Sequence, residues 1–373
     1  MHLPPFLLDQ WLANHEFRTP PVRYNLASST GPKWTLAELQ ALPHGELDLA
    51  HVPLGYAPPD GSRDLREAIA AHHGVDPDWV IVATGAAEAL SVLFCLTSEP
   101  GASVVLPSPF FPAFAAVAGA WGHRINHYVL PRDAGYRQSA SLVSDVVDDR
   151  TVLAVVNTPH NPTGALFLRS ELVVLAARLR ERGIPLIVDE VYHPLYFGEA
   201  QPSAAGIENV IVVGDMSKAL SLPGLRVGWI IDADPERRKR MIDQRSYFTV
   251  SGSPIGEAIA VHALRNREAV LARSMAVASA NLQTLANAIG AVQNLLSWVR
   301  PAGATTAYPW FNDGRDSRPF CQALADAGVL IVPGDCFGAR EHMRIGFGVQ
   351  AVGFDKAAAI LRDAIIRAAD HAA

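Results

Sequence analysis

Between about residues 55 and 250, short apolar runs alternate with stretches of helical period. The runs fall at 80–84, 103–107, 124–130, 152–157, 184–189, 210–214 and 226–231. Such alternation reads as strands of a sheet covered on both faces, with room between them for crossover helices. The pattern predicts an α/β fold built on a mostly parallel seven-stranded sheet. Ahead of it, Phe6, Leu7, Leu8, Trp11 and Leu12 mark a short aromatic helix, and 25–32 an extended loop. Behind it, one long Ala-rich helix is predicted over 255–290. A C-terminal α+β part follows, with strands near 305–311, 329–332 and 343–347. Three units are expected: an arm at 1–50 that packs with the small domain, a large domain at 51–290, and a small domain at 291–373.

Polar groups gather where the runs end. Lys218 stands in Gly214-Asp215-Met216-Ser217-Lys218, and Arg226 follows eight residues on, after Pro223-Gly224. Desolvation and a nearby cation both lower an ammonium pKa, which frees a lysine amine as a nucleophile. Asn161 lies in Asn157-Thr158-Pro159-His160-Asn161-Pro162-Thr163-Gly164, a rigid turn at the end of the 152–157 run. Asp189 closes the 184–189 run, with the phenol of Tyr192 three residues later. Gly85-Ala86-Ala87 sits between a strand and a helix, where free amides suit a phosphate. Each segment taken singly also reads as a turn, a buried ion pair or a tight βα connection. Together, at strand ends where open α/β sheets bind ligands, they read as one site.

In this combination the chain resembles the class I/II aminotransferases, the fold-type I enzymes that use pyridoxal 5'-phosphate. The resemblance runs from about Tyr56 to Phe347. It implies that Lys218 forms a Schiff base with the cofactor and that Asp189 pairs with the ring nitrogen. Asn161 and Tyr192 would bond the ring 3' oxygen, and Phe111 would stack on the ring. Gly85, the amides of Ala86 and Ala87, Ser217 and Arg226 would hold the phosphate. Tyr56 matches a tyrosine that reaches the neighbouring subunit's cofactor, which implies a homodimer with shared sites. Arg344 matches the arginine that grips the substrate carboxylate by a two-pronged pair. Gly31, in the 29–34 segment of the arm, falls in a substrate-binding region. Asp215 departs from the pattern, which commonly has a hydroxyl residue there; a carboxylate beside a phosphate is unfavourable, so it is expected to point away or to serve another role.

The bulk properties narrow the classes further. With 373 residues, 49% hydrophobic and a net charge of −6, there is material for a large buried core and no basic footprint for nucleic acid. The basic run Arg237-Arg238-Lys239-Arg240 reads as a solvated helix face. Cys95, Cys321 and Cys336 lack metal or redox spacing and read as reduced thiols. The histidines form no HExxH pair, and His72 and His73, adjacent on a helix, are expected on different faces; no metal is expected. No run is long and apolar enough to span a bilayer, and the N-terminus shows no charged region ahead of an apolar one, so a cytoplasmic location is expected. No strand–GxGxxG–helix occurs, which argues against a nicotinamide enzyme.

The resemblance implies amino-acid and keto-acid substrates and transamination between them. Aspartate-type members place an arginine near 247–254, where this chain has none aligned; Arg245 is the nearest. Three segments (247–254, 303–311 and 328–338) are also similar to the capreomycidine synthase-like branch, which eliminates and cyclises hydroxyarginine-type substrates. Asp215, as an acid able to meet a guanidinium, favours that alternative.

Overall fold

The computed structural model describes residues 3–370. Helix Leu7–Glu16 opens the chain and is tied to the C-terminal layer by Trp11 Nε1, which donates to Ile331 O at 2.8 Å. β1 (Tyr24–Asn25) follows it.

The central sheet is formed by β2 (Val80–Ala83), β3 (Ser103–Ser108), β4 (Arg124–Val129), β5 (Thr151–Asn157), β6 (Leu186–Asp189), β7 (Val210–Asp215) and β8 (Gly228–Asp232). Their spatial order is β2-β8-β7-β6-β5-β3-β4, with β8 antiparallel to both neighbours and the other pairs parallel. All seven expected strands are present, and the fold class is as read.

Side chains alternate across a strand, so this sheet feeds two cores. Val80, Val82, Val105, Val156, Val188 and Val212 enter one, with helices Arg63–His73, Arg169–Arg180 and Arg267–Gly290. Ile81, Val104, Val155, Ile187, Val213 and Ile230 enter the other, with helices Ala86–Leu96 and Ala113–Ala120. Apolar residues on both faces of the inner strands account for the apolar runs in the sequence, while the edge strand β4 carries Arg124, Asn126 and His127.

The C-terminal layer departs from expectation in detail. β9 (Leu296–Ser297) pairs with β11 (Trp310–Phe311), while β10 (Thr306–Ala307) pairs with β14 (Met343–Gly346). The strand expected at 305–311 is thus two short ones with separate partners, divided at Tyr308-Pro309. The strand expected at 329–332 divides likewise: β12 (Val329–Leu330) runs parallel to β1, and β13 (Val332–Pro333) pairs with β14. The single helix expected over 255–290 is two, Pro254–Arg265 and Arg267–Gly290, broken at Asn266. Asn266 Oδ1 accepts from His44 N and its Nδ2 donates to His44 O, so the break is set by the arm. No helix among the described residues is long and apolar enough to cross a membrane.

Candidate active site

Parallel register brings the strand ends into a row. Asn157 stands beside Asp189, Asp189 beside Val213, and Asp215 beside Gly228. Alternation puts Asp189 on the sheet face of Ile187 and Asp215 on that of Val213. Over this row lies a cavity of about 270 Å³, lined by Ala86, Ala87, Phe111, Asn157, Asn161, Asp189, Tyr192, Asp215, Ser217, Lys218 and Arg226.

Lys218 is half-buried, and its Nζ donates to Ser29 Oγ at 3.1 Å. Burial lowers its pKa; the carboxylate of Asp215 works against that, and Arg344 and Arg226 add to it. Asp189 is pushed up to about 7 by burial, with one oxygen held by Val191 N at 3.1 Å. A carboxylate so placed is short of a cationic partner. Burial also pushes the Tyr192 phenol up to about 12, and among the described residues its hydroxyl has no hydrogen-bond partner.

Asn161 is pinned on both sides: its N–H donates to Asn157 Oδ1 at 2.7 Å, and its Oδ1 accepts from Arg344 Nη1 at 3.3 Å. With that oxygen taken, Nδ2 is the group left to donate. Arg344 is buried behind Asn161. Its Nη2 donates to Ala27 O at 2.7 Å, its guanidinium lies 4.9 Å from the Phe337 ring, and its Nε is unpartnered. Phe111 meets Phe6 of the arm edge-on, at 6.0 Å between centroids.

An anion cradle closes one end. Helix Ala86–Leu96 starts after Gly85, which has φ 79, and the amides of its first turn lack intrahelical partners. Arg226 is itself left-handed, with φ 51, and lies over that helix start. A β-carbon on Gly85 would stand 2.5 Å from Arg226 Nη2. Only glycine lets the guanidinium and the helix N-terminus converge.

Of the two alternatives for Asp215, pointing away is excluded: it lines the cavity, with Oδ1 accepting from Ser217 N at 2.9 Å. That turn fixes the carboxylate near Lys218. Gly31 is not at the cavity but packs on Ser221 and Ser274, where a β-carbon would collide with both hydroxyls. Ser29, two residues earlier, is the arm residue that reaches Lys218. Tyr56 is 88% exposed and borders a separate open cleft of about 500 Å³ with Leu47, Ser62 and His262. Arg245 is buried and outside the cavity, with Nη1 donating to Pro59 O at 2.6 Å.

Asn157 was not anticipated as a site residue, although it begins the very motif that carries Asn161. Ser29 opens the 29–34 segment expected near substrate, but its bond to Lys218 was not foreseen. A histidine cluster was also missed. His72 and His73 lie together, 4.9 Å between rings, in the last turn before Gly74, and both pack on His193. The expectation of opposite faces fails because the helix ends there. His73, Glu190 and His193 bring ligand-type atoms within 4.8 Å of one another. Trp229 Nε1, which can only donate, gives to His73 Nε2 at 3.1 Å, so the proton is on Nδ1. Nδ1 then donates to Ser203 Oγ at 2.9 Å, and Ser203 to Glu190 Oε2 at 2.6 Å. Both His73 nitrogens are committed, so this trio is a one-way hydrogen-bond chain rather than a cation site.

With this geometry the sequence comparisons agree. The Aminotransferase class I and II profile matches residues 24–361, and the chain belongs to that family. It is 32% identical over 356 residues to a capreomycidine synthase of Streptomyces vinaceus, covering 92% of this chain and 90% of that protein. It is 31% identical over 326 residues to an aspartate/prephenate aminotransferase of Thermus thermophilus, covering 83% of each. Among solved structures, a PLP-dependent aminotransferase from Streptococcus suis superposes with a TM-score of 0.90 at 26% identity, over 98% of this chain and 99% of the other.

Proposed function

We propose that this aminotransferase uses pyridoxal 5'-phosphate to move an amino group between an α-amino acid and an α-keto acid, with Lys218 as the covalent anchor. The observation that carries the reading is Lys218 itself: a half-buried amine with a lowered pKa, bonded to Ser29 and sharing one cavity with Asp189, Tyr192 and an anion cradle. The residues fit the cofactor. The cradle of Gly85, Ala86, Ala87 and Arg226 suits the phosphate, with Ser217 beside it. The unpartnered Tyr192 hydroxyl and Asn161 Nδ2 suit a ring oxygen. Asp189, raised by burial, gains a partner in a protonated ring nitrogen, and Phe111 offers an aromatic face.

When bound, the cofactor supplies an electron sink that weakens the substrate Cα–H bond. The chain's own groups do the rest. Arg344 binds the carboxylate, offering its unpartnered Nε. Lys218 Nζ, its pKa lowered by burial, takes the Cα proton, and Ser29 Oγ orients that amine. Asp189 keeps a proton on the ring nitrogen by charge. Phe6 and Phe111 keep water from the mouth.

The reading extends to assembly and organisation. Tyr56 faces outward and is assigned to the partner's phosphate in a homodimer. The large unit at 51–290 carries the cavity, and the arm with 291–373 carries Arg344.

A second reading is favoured by one observation: Asp215 puts a second carboxylate in the cavity, where a cationic substrate group would neutralise it. It matches the similarity to capreomycidine synthase and makes the chain a cyclase or eliminase of a hydroxyarginine-type amino acid.

The deciding experiment adds amino acids one at a time to the cofactor-loaded protein, following the visible band together with keto-acid and ammonia release. Keto-acid formation, with the band restored by a second keto acid, supports transamination. Ammonia or water loss selective for guanidino substrates, without keto acid, supports the second reading. Full activity in Lys218→Ala overturns both.

A further inference from the structure

A second buried contact joins the edge of the central sheet to the strand that carries Arg344. After β4 the chain makes a 3₁₀ turn at Arg132–Ala134 and then places two successive residues in the left-handed region, Gly135 at φ 68 and Tyr136 at φ 57. Glycine adopts this freely; a tyrosine is strained there and stays only because its surroundings over-determine it. The backbone is held by Tyr136 N donating to Pro131 O at 3.0 Å. The effect is to turn the ring inward, where it is 3% exposed and edge-on to Trp310 and His342.

At the end of that ring the Tyr136 hydroxyl meets His342 Nε2 at 2.8 Å, across 206 residues of sequence. His342 Nδ1 lies 3.3 Å from Glu341 Oε1 but makes no hydrogen bond among the described residues, so the bond to Tyr136 is the one that holds the imidazole. Arg132 Nη1 stands 3.6 Å from the same carboxylate oxygen.

From His342 the contact continues to Arg344 without a gap. The imidazole stacks on Tyr308 at 4.5 Å and 19°. Tyr308 meets Phe337 edge-on at 5.8 Å and 81°. The Phe337 ring carries the Arg344 guanidinium at 4.9 Å. His342 also immediately precedes β14, two residues before the arginine. None of Tyr136, Tyr308 and His342 lines the cofactor cavity.

We propose that Tyr136, through its hydrogen bond to His342, is a positioning residue for Arg344 and sets how tightly the substrate carboxylate is held. The strained tyrosine fixes the imidazole, the imidazole fixes Tyr308 and Phe337, and these fix the plane of the guanidinium. This rests on the assignment of Arg344 to the carboxylate. Because the carboxylate is bound alike before and during reaction, the effect falls on KM and not on kcat.

The test is Tyr136→Phe in the cofactor-loaded protein, which keeps the ring and removes only the hydroxyl. KM for amino acid and keto acid, and the inhibition constant of propionate, should each rise about three- to tenfold, the range of one neutral hydrogen bond. Turnover and cofactor affinity should not move. Phe337→Leu, which removes the ring under the guanidinium, should show the same split. Unchanged KM and propionate inhibition in Tyr136→Phe, or a loss confined to kcat, overturns the proposal. Arg344→Lys separates the two claims: if it leaves KM unchanged, the carboxylate assignment fails first and the proposal with it.

Discussion

Arg226 lies across Gly85 so closely that a β-carbon there would stand 2.5 Å from its Nη2. The arginine's left-handed backbone and the glycine's φ of 79 are two halves of one cradle, each unusual only because the other is there. Gly85→Ala puts a side chain into a backbone conformation almost confined to glycine, at about 1–3 kcal/mol, and pushes the guanidinium off the helix start. Cofactor affinity, read by titrating the visible band, should fall at least about tenfold, while far-ultraviolet circular dichroism stays as in the parent. An unchanged dissociation constant would place the phosphate elsewhere.

Asp189 gives a pH dependence with a definite sign. Burial raises it, and Glu190 next to it, to about 7. Between about pH 4 and 7 the folded chain therefore holds protons that the unfolded chain has released. Stability contributed by these groups is present at low pH and falls as pH rises through that window. In protein stripped of cofactor, Asp189→Asn removes one of the two titrations. Its melting temperature should approach the parent's near pH 4 and exceed it at pH 8. Restoring the cofactor should reverse the order, because only the parent pairs with a protonated ring nitrogen. Parallel melting profiles of the stripped proteins across the window would refute the account.

What the sequence made legible follows a physical line. Strands such as 152–157 and 210–214 are apolar on both faces because each face feeds a core, so hydropathy alone reveals them. Asn161, Asp189, Lys218 and Arg226 are legible because strand-end motifs are local. The failures are non-local. Asn266 breaks a helix without glycine or proline, through bonds to His44 that no local pattern encodes. Ser29 reaches Lys218 across 189 residues. Asp215 was read as pointing away from a phosphate or serving another role, and only the cavity it shares with Lys218 decides between the two. Tyr136 left no sequence signal, because its left-handed backbone is imposed by the turn from Pro131.

Tyr56 supplies the sharpest test of assembly. It is 88% exposed, and its loop is pinned from behind by Arg245 at Pro59, so it presents outward on a fixed support. If it serves the partner's cofactor, no single chain holds a complete site. Lys218→Ala supplies an intact Tyr56, and Tyr56→Ala an intact Lys218. Mixed one to one and allowed to re-pair at random, half the dimers are hybrids, each with one complete site. The mixture should recover about a quarter of parental activity at limiting cofactor, above the mean of the two variants alone. If each chain used its own Tyr56, no hybrid would hold a complete site, and the mixture would only average its parents.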